Sequence, residues 1–181
     1  MKHFVDISRL GQESIKTLLQ VAQEMIPLAK SGTDLARGRI LATLFYEPST
    51  RTRLSFESAM QRLGGAVLGF ADARASSVAK GESLADTIRT VDKYADVVAL
   101  RHPAEGAALA CSLYSQVPVV NAGDGGHLHP SQTLLDLLTI KNELGRLENL
   151  TVVLVGDLRY GRTASSLALA LAPVSYTHLR A

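Results

Sequence analysis

Hydroxyl and arginine side chains stand together at the start of one predicted helix. The run PSTRTR places Pro48 directly before Ser49, Thr50, Arg51 and Thr52. Backbone N–H groups at a helix start, aided by the positive end of the helix dipole, attract phosphate oxygens. A guanidinium beside them adds charge-assisted hydrogen bonds. The same residue types also suit an ordinary helix N-cap followed by solvated arginines, but the pairing of hydroxyls with a guanidinium favours phosphate binding.

Two further segments supply hydrogen-bond donors. Arg101 begins the run RHP, and His129 follows a GDGG stretch whose glycines let a ligand approach the backbone. A single loop histidine is more often a packing residue, but His129 directly precedes a predicted helix, so both interpretations stay open, whereas His127 is interpreted as loop. There is no HExxH, paired-cysteine or carboxylate cluster, so no metal site is predicted. GDLRYGRT contains glycines but does not match GxGxxG, so the sequence gives only weak support for dinucleotide binding.

Alternating strands and helices must position these residues. The strand candidates are Ile40–Phe45, Ala66–Phe70, Val97–Leu100, Val117–Asn121 and Thr151–Val155. Helical periodicity marks Ser14–Ala29, Thr50–Leu63, Ser83–Tyr94, Glu105–Tyr114, Ser131–Leu144 and Thr163–Ala172. Repeated βα units with continuously apolar strands predict an α/β fold, a parallel β-sheet flanked by helices on both faces.

The loops after these five strands carry the polar clusters. They read YEPSTRTR, ADARASSVAKGE, RHPAEG, NAGDGGHLHPSQ and GDLRYGRT in chain order. Ligands of open α/β sheets bind beyond the carboxyl ends of the strands. The sequence therefore predicts one composite site at that edge of the sheet.

The composition is that of an ordinary globular protein. A net charge of +2 gives no reason to expect nucleic acid or an anionic membrane as a partner. The single cysteine, Cys111, lies in the apolar run ALACSLY and is predicted to be a core residue rather than a reactive thiol. The start, MKHFVDISRL, lacks a signal-peptide pattern, and no apolar run is long enough to span a bilayer. We predict a cytoplasmic location.

Five ordered segments together resemble one enzyme family. The run FYEPSTRTRLSFESAMQRLGG resembles the carbamoyl phosphate signature of the transcarbamylases. SSVAKGESLADT, RHPAEGAA, NAGDGGHLHPSQTLLDLLTI and VGDLRYGRTASSL resemble the aspartate carbamoyltransferase branch in its order and spacing. Glu47 before PSTRTR and the HPSQ run, which contains Ser131, separate the chain from the ornithine branch.

The resemblance implies a role for each site residue. Ser49, Thr50, Arg51 and Thr52 would hold the phosphate of carbamoyl phosphate. Thr52, Arg101 and His129 would contact its carbonyl oxygen and stabilise the oxyanion, and Gln132 would accept from its NH₂ group. Arg162 would bind a carboxylate of L-aspartate. The implied reaction is direct acyl transfer to the amine of aspartate, with no cofactor.

The loop after the second strand resembles a segment that this family donates to a neighbouring subunit. Ser76 and Lys80 would enter that neighbour's site, Lys80 as an aspartate ligand, and Ser77 is the alternative if the loop register differs by one. The resemblance thus implies a homotrimer. A regulatory or dihydroorotase partner stays open.

The resemblance also divides the chain. Residues 1–150 correspond to the carbamoyl-phosphate-binding domain, and residues 151–172 to an interdomain segment or the start of the aspartate-binding domain. The tail at 173–181, PVSYTHLRA, carries no family pattern, and by the resemblance we expect the second domain to be missing. We therefore expect weak binding of carbamoyl phosphate and little turnover. The alternatives are a carbamoyltransferase for ornithine or another amine, a non-catalytic binding subunit, and a generic phosphate-binding α/β domain.

Overall fold

Four parallel strands form the main sheet of the molecule. The structure is a computed structural model that describes residues 2–72, 77–126, 128–158, 161–174 and 178–180. The strands are β1 (Ile40–Phe45), β2 (Ala66–Phe70), β3 (Val97–His102) and β4 (Val119–Asp124). Their order across the sheet is β2-β1-β3-β4, and every neighbouring pair is parallel.

Helices cover both faces of this sheet. They are α1 (Gln12–Ser31), α2 (Thr50–Arg62), α3 (Leu84–Val91), α4 (Ala107–Tyr114), α5 (Pro130–Leu144) and α6 (Arg162–Val174), with 3₁₀ turns at Ile7–Arg9 and Ser77–Lys80. Successive strand residues point to opposite faces. Val98 and Leu100 accordingly pack in one cluster with residues of α3 and α4, whereas Ala99 packs with Met60 of α2. The predicted α/β class is confirmed.

A second core lies between the outer helices. Ile15 and Leu19 of α1 pack there with Leu137 of α5 and Leu171 of α6, and all four side chains are buried. Helix α6 therefore belongs to the same packed body as α1 and α5. The predicted domain boundaries at 150 and 172 stay predictions.

Two features of the strands differ from the sequence prediction. β3 and β4 run further than their apolar cores, so Arg101 and Asp124 lie within strands rather than in loops. The prediction that Thr151–Val155 is a strand of the main sheet is wrong. β5 (Thr151–Val153) instead pairs in parallel with β6 (His178–Arg180) in a separate two-stranded sheet, and Val155 beyond it is 92% exposed. Apolar composition indicates a strand but not the neighbour with which it pairs.

Cys111 is buried in the cluster between the sheet and α4. Burial, followed by the charge of Asp92, raises the pKa of its thiol to about 12. The thiol therefore stays protonated, as the prediction of a core residue requires. Within the described part of the chain, no helix is both long enough and apolar enough to cross a membrane.

Candidate active site

A cavity of about 740 Å³ opens at the carboxyl ends of β1, β3 and β4. This volume lies within the range of small-molecule sites. The predicted site residues that line it are Ser49, Arg51, Thr52, Arg101, His129, Gln132 and Arg162. Four separate segments of the chain therefore meet around one space.

The start of α2 forms one wall of the cavity. Ser49 occupies the N-cap position, but its hydroxyl makes no capping hydrogen bond to the described residues. Ser83, by contrast, caps α3 through the backbone N–H of Asp86. Helix N–H groups without a side-chain cap are free for a ligand, so the N-cap interpretation of this motif has lost its support.

The side chains of PSTRTR point in different directions. Arg51 and Thr52 line the cavity, whereas Thr50, the first residue of α2, does not. The guanidinium of Arg53 instead forms an ion pair with Glu57, with 3.2 Å between Nε and Oε1. One arginine of the motif therefore faces the site, and the other is held by its own helix.

Arg101 lies at the base of the cavity and is only 8% exposed. Its Nη1 donates to the carbonyl oxygen of Ala122 at 3.3 Å and stands 3.5 Å from Nε2 of His129. Its Nη2 forms an ion pair with Glu47, while Nε is buried with no partner among the described residues. Burial, followed by the charge of Arg162, lowers the pKa of this guanidinium below its usual range, but a guanidinium stays charged in a protein.

Glu47 holds two arginines at once. The Oε1 atom that contacts Arg101 also lies 3.2 Å from Nη2 of Arg162. Arg162 additionally donates through Nη1 to the carbonyl oxygen of Gly125. Two guanidiniums thus share a single carboxylate, which leaves uncompensated positive charge for an anionic ligand. In the sequence, Glu47 only separates two branches of the family, and nothing in the pattern predicts its contact with two arginines.

His129 is the N-cap residue of α5, and its ring is fixed by that role. Nδ1 accepts from the backbone N–H of Gln132 at 3.4 Å, and the hydroxyl of Ser131 lies 3.3 Å away. A ring nitrogen that accepts a hydrogen bond carries no proton, so the proton of the neutral ring is on Nε2. Burial, followed by the charges of Arg101 and Arg162, lowers its pKa to about 4. At neutral pH the ring is therefore an uncharged donor.

We expect His129 to make folding sensitive to acid. Its pKa is about 4 in the folded chain and near 6.5 when unfolded. Between these values the unfolded state binds the additional proton, so the free energy of unfolding falls as the pH drops from 6.5 towards 4. His129→Asn keeps an N-cap oxygen and should show a smaller decline. Urea titrations of both proteins across this range measure the difference. Parallel curves would contradict the assignment.

Gly123 allows Arg101 and His129 to approach each other. It lies in β4 with φ +114°, in the region that favours glycine. A Cβ atom at this position would stand 2.9 Å from Nη1 of Arg101 and 3.3 Å from Cδ2 of His129. The glycine is therefore part of the site geometry, whereas the GDGG run in the sequence predicts only access for a ligand.

The loop after β2 contributes no described residue to the cavity. Lys80 is exposed at the end of its 3₁₀ turn and does not line the space. Ser76 and the side chain of Ser77 lie outside the described part of the structure. Among the described residues, no group of three or more His, Cys, Asp or Glu could hold a metal ion.

Most of the chain matches a known family. Residues 2–142 fit the family model described as aspartate/ornithine carbamoyltransferase, carbamoyl-P binding domain. The chain belongs to this carbamoyltransferase family. The resemblance stated from the motifs is thereby confirmed.

The curated relatives of this carbamoyltransferase chain are catalytic subunits. It is 57% identical to the aspartate carbamoyltransferase catalytic subunit of Lachnoclostridium phytofermentans over 94% of this chain and 56% of that protein. The subunit of Methanocaldococcus jannaschii is also 57% identical, over 94% and 56% of the respective chains. The chain therefore spans about half the length of the relatives it matches.

Solved structures agree with this family assignment. The catalytic subunit of M. jannaschii aspartate transcarbamoylase superposes with a TM-score of 0.93 at 54% identity, covering 99% of this chain and 59% of that one. Aspartate transcarbamoylase from Trypanosoma cruzi, in complex with carbamoyl phosphate and aspartate, gives 0.92 at 41% identity, covering 98% and 57%.

Proposed function

We propose that this chain is the carbamoyl-phosphate-binding part of an aspartate carbamoyltransferase. The whole enzyme would transfer the carbamoyl group to the amine of L-aspartate, giving N-carbamoyl-L-aspartate and phosphate for pyrimidine biosynthesis. The observation that carries the proposal is the cavity in which an uncapped helix start, three guanidiniums and a neutral histidine meet. The Trypanosoma cruzi relative, solved with carbamoyl phosphate and aspartate, supports the choice of substrates.

The phosphate group would lie at the start of α2. The N–H groups there, the hydroxyls of Ser49 and Thr52 and the guanidinium of Arg51 are hydrogen-bond donors, and together they suit an oxyanion. Thr50, whose side chain does not line the cavity, would contribute only its backbone N–H. The carbonyl oxygen would then face Thr52, Arg101 and His129.

The reaction would need no covalent enzyme intermediate. The uncharged amine attacks the carbonyl carbon, and a tetrahedral oxyanion forms. Phosphate leaves with the electrons of the broken C–O bond and takes up the proton that the attacking nitrogen loses. Arg101 and the Nε2–H of His129 would stabilise the oxyanion from fixed positions. Because the pKa of His129 is about 4, the ring would act as a neutral donor rather than as a base.

Arg162 and Lys80 would bind the second substrate. Arg162 offers the planar fork that suits a carboxylate, although Glu47 and the carbonyl oxygen of Gly125 occupy it in this structure. A carboxylate of L-aspartate would therefore compete with Glu47 for this guanidinium. Lys80 would come from a neighbouring subunit because it does not line the cavity of its own chain.

The two arginines of PSTRTR give a matched test. We expect Arg51→Ala to weaken binding of carbamoyl phosphate by about tenfold or more, because it removes charge-assisted hydrogen bonds to the phosphate. Arg53→Ala removes the same charge two residues away, from a side chain that is paired with Glu57, and should change the affinity less than about threefold. Isothermal titration calorimetry measures both. A wild-type chain that does not bind, or equal losses in the two variants, would refute the phosphate site.

The shared site requires an oligomer. We propose a homotrimer in which Ser76 and Lys80 of one subunit, or Ser77 in place of Ser76, enter the site of the next. The support is the family resemblance of this loop together with the exposure of Lys80. Sedimentation of the chain at micromolar concentration measures the state, and a monomer would contradict it.

The choice of aspartate as the amine rests on the relatives of this chain. The family model covers both the aspartate and the ornithine enzymes, and the relatives named above favour aspartate as the amine. The cytoplasmic location, the weak binding with little turnover, and a regulatory or dihydroorotase partner stay predictions.

A further inference from the structure

The amide of Gln132 is held by a carboxylate one turn along the same helix. Its Nε2 donates to Oδ1 of Asp136 at 2.9 Å, and both side chains line the cavity. Residues four apart on a helix face the same side. This contact therefore lies at the wall of the site rather than on an outer surface of α5.

The chemistry of this contact determines which end of the amide faces Asp136. An ionised carboxylate can only accept hydrogen bonds, so the NH₂ end of Gln132 must point towards it. The carbonyl end, Oε1, is then directed away from Asp136 and is left as an acceptor. A freely rotating amide would offer either end with nearly the same shape.

The neighbouring histidine has the opposite polarity. The backbone N–H of Gln132 donates to Nδ1 of His129, which leaves the Nε2–H of that ring as a donor. The Nε2–H of His129 is thus a fixed donor, and Oε1 of Gln132 is a fixed acceptor. Together they match the C=O and the NH₂ group of a primary amide.

We infer that Asp136 is a positioning residue that makes the site select acyl phosphates whose carbonyl carries an NH₂ group. It acts through Gln132 and need not touch the ligand. The inference rests on the proposed function, because it presupposes that a carbamoyl group lies in this cavity. A matching ligand with CH₃ in place of NH₂ would leave Oε1 of Gln132 without a partner.

Two stable phosphonates distinguish this role from a structural one. Phosphonoacetamide and 2-oxopropylphosphonate share a phosphonate, a CH₂ bridge and a carbonyl oxygen, and they differ only in the NH₂ or CH₃ group on the carbonyl carbon. Calorimetry with both ligands gives a ratio of dissociation constants. A general loss of structure, or the removal of a negative charge near the phosphonate, changes both constants together and leaves the ratio unchanged.

The wild-type chain should favour phosphonoacetamide by about tenfold or more. Asp136→Ala, which helix α5 tolerates because alanine is a good helix former, should lower the ratio by about three- to tenfold, towards that of Gln132→Ala. Asp136→Asn should give an intermediate ratio, since its oxygen can still accept. The control Glu143→Ala removes an exposed carboxylate from the same helix and should keep the wild-type ratio.

Two other outcomes are separable. An Asp136→Ala chain that keeps the wild-type ratio, whatever happens to its overall affinity, would overturn the positioning role while leaving the proposed function intact. A wild-type chain that binds neither phosphonate would instead overturn the proposed function and remove the basis of the inference.

Discussion

Arg101→Met is expected to weaken binding of carbamoyl phosphate by about 100-fold or more. Arg101 is 8% exposed, and its guanidinium lies within the cavity wall beside His129. Truncating one member of a desolvated charge pair costs about 2–5 kcal/mol of binding free energy, and 1.4 kcal/mol is a factor of ten. Calorimetry on the purified variant measures the loss. Affinity within about threefold of the wild type would contradict the assignment.

The same substitution should leave stability unchanged or raise it. Arg101 is desolvated, and its Nε has no partner among the described residues, so an apolar side chain removes a cost of folding. Glu47 keeps Arg162 as a partner. Arg39→Met is the matched control, because Arg39 pairs with Asp96 at the opposite end of β1 and should not affect affinity. Urea unfolding, compared with the binding data, separates a functional residue from a structural one.

Periodicity in the sequence predicted the bounds of the main-sheet strands, and of the helices that cover the sheet, closely. Ile40–Phe45 and Ala66–Phe70 have the predicted bounds, because apolar runs end there at turn residues. β3 and β4 continue into polar sequence because pairing with a neighbour, rather than apolar composition, determines where a strand ends. Arg101 pairs across the sheet with Phe45, which gives this guanidinium a rigid strand as its support.

The candidate site could be predicted only as a set of chemical groups. Arg162 follows β5, which lies in a separate sheet, so the rule for strand ends does not account for its place in the cavity. Sequence order places Arg51, Arg101 and His129 after three predicted strands of the main sheet, and the rule for carboxyl ends of parallel strands brings these three to one edge. Their protonation, partners and directions are not visible in the sequence. The neutral state of His129 follows from burial and from the charges of Arg101 and Arg162. Glu47 belongs to the site because it pairs with both arginines.

Gly123→Ala is expected to damage stability and binding together. The backbone at φ +114° disfavours any side chain, and such strain costs about 1–3 kcal/mol of unfolding free energy. The added Cβ would stand 2.9 Å from Nη1 of Arg101 and 3.3 Å from Cδ2 of His129. One of these two groups must move, and we expect the affinity for carbamoyl phosphate to fall by about tenfold or more.

Gly145→Ala separates these two effects. Gly145 ends α5 in the left-handed conformation with φ +70°, and a Cβ there would meet no atom within 4 Å. This variant should lose about 1–2 kcal/mol of stability from the backbone alone and keep its affinity. If Gly123→Ala behaved in the same way, with a lower free energy of unfolding but unchanged binding, the close approach at Gly123 would not support the site. If Gly123→Ala loses binding and Gly145→Ala does not, the absence of a side chain at position 123 is what allows Arg101 and His129 to lie together in the cavity.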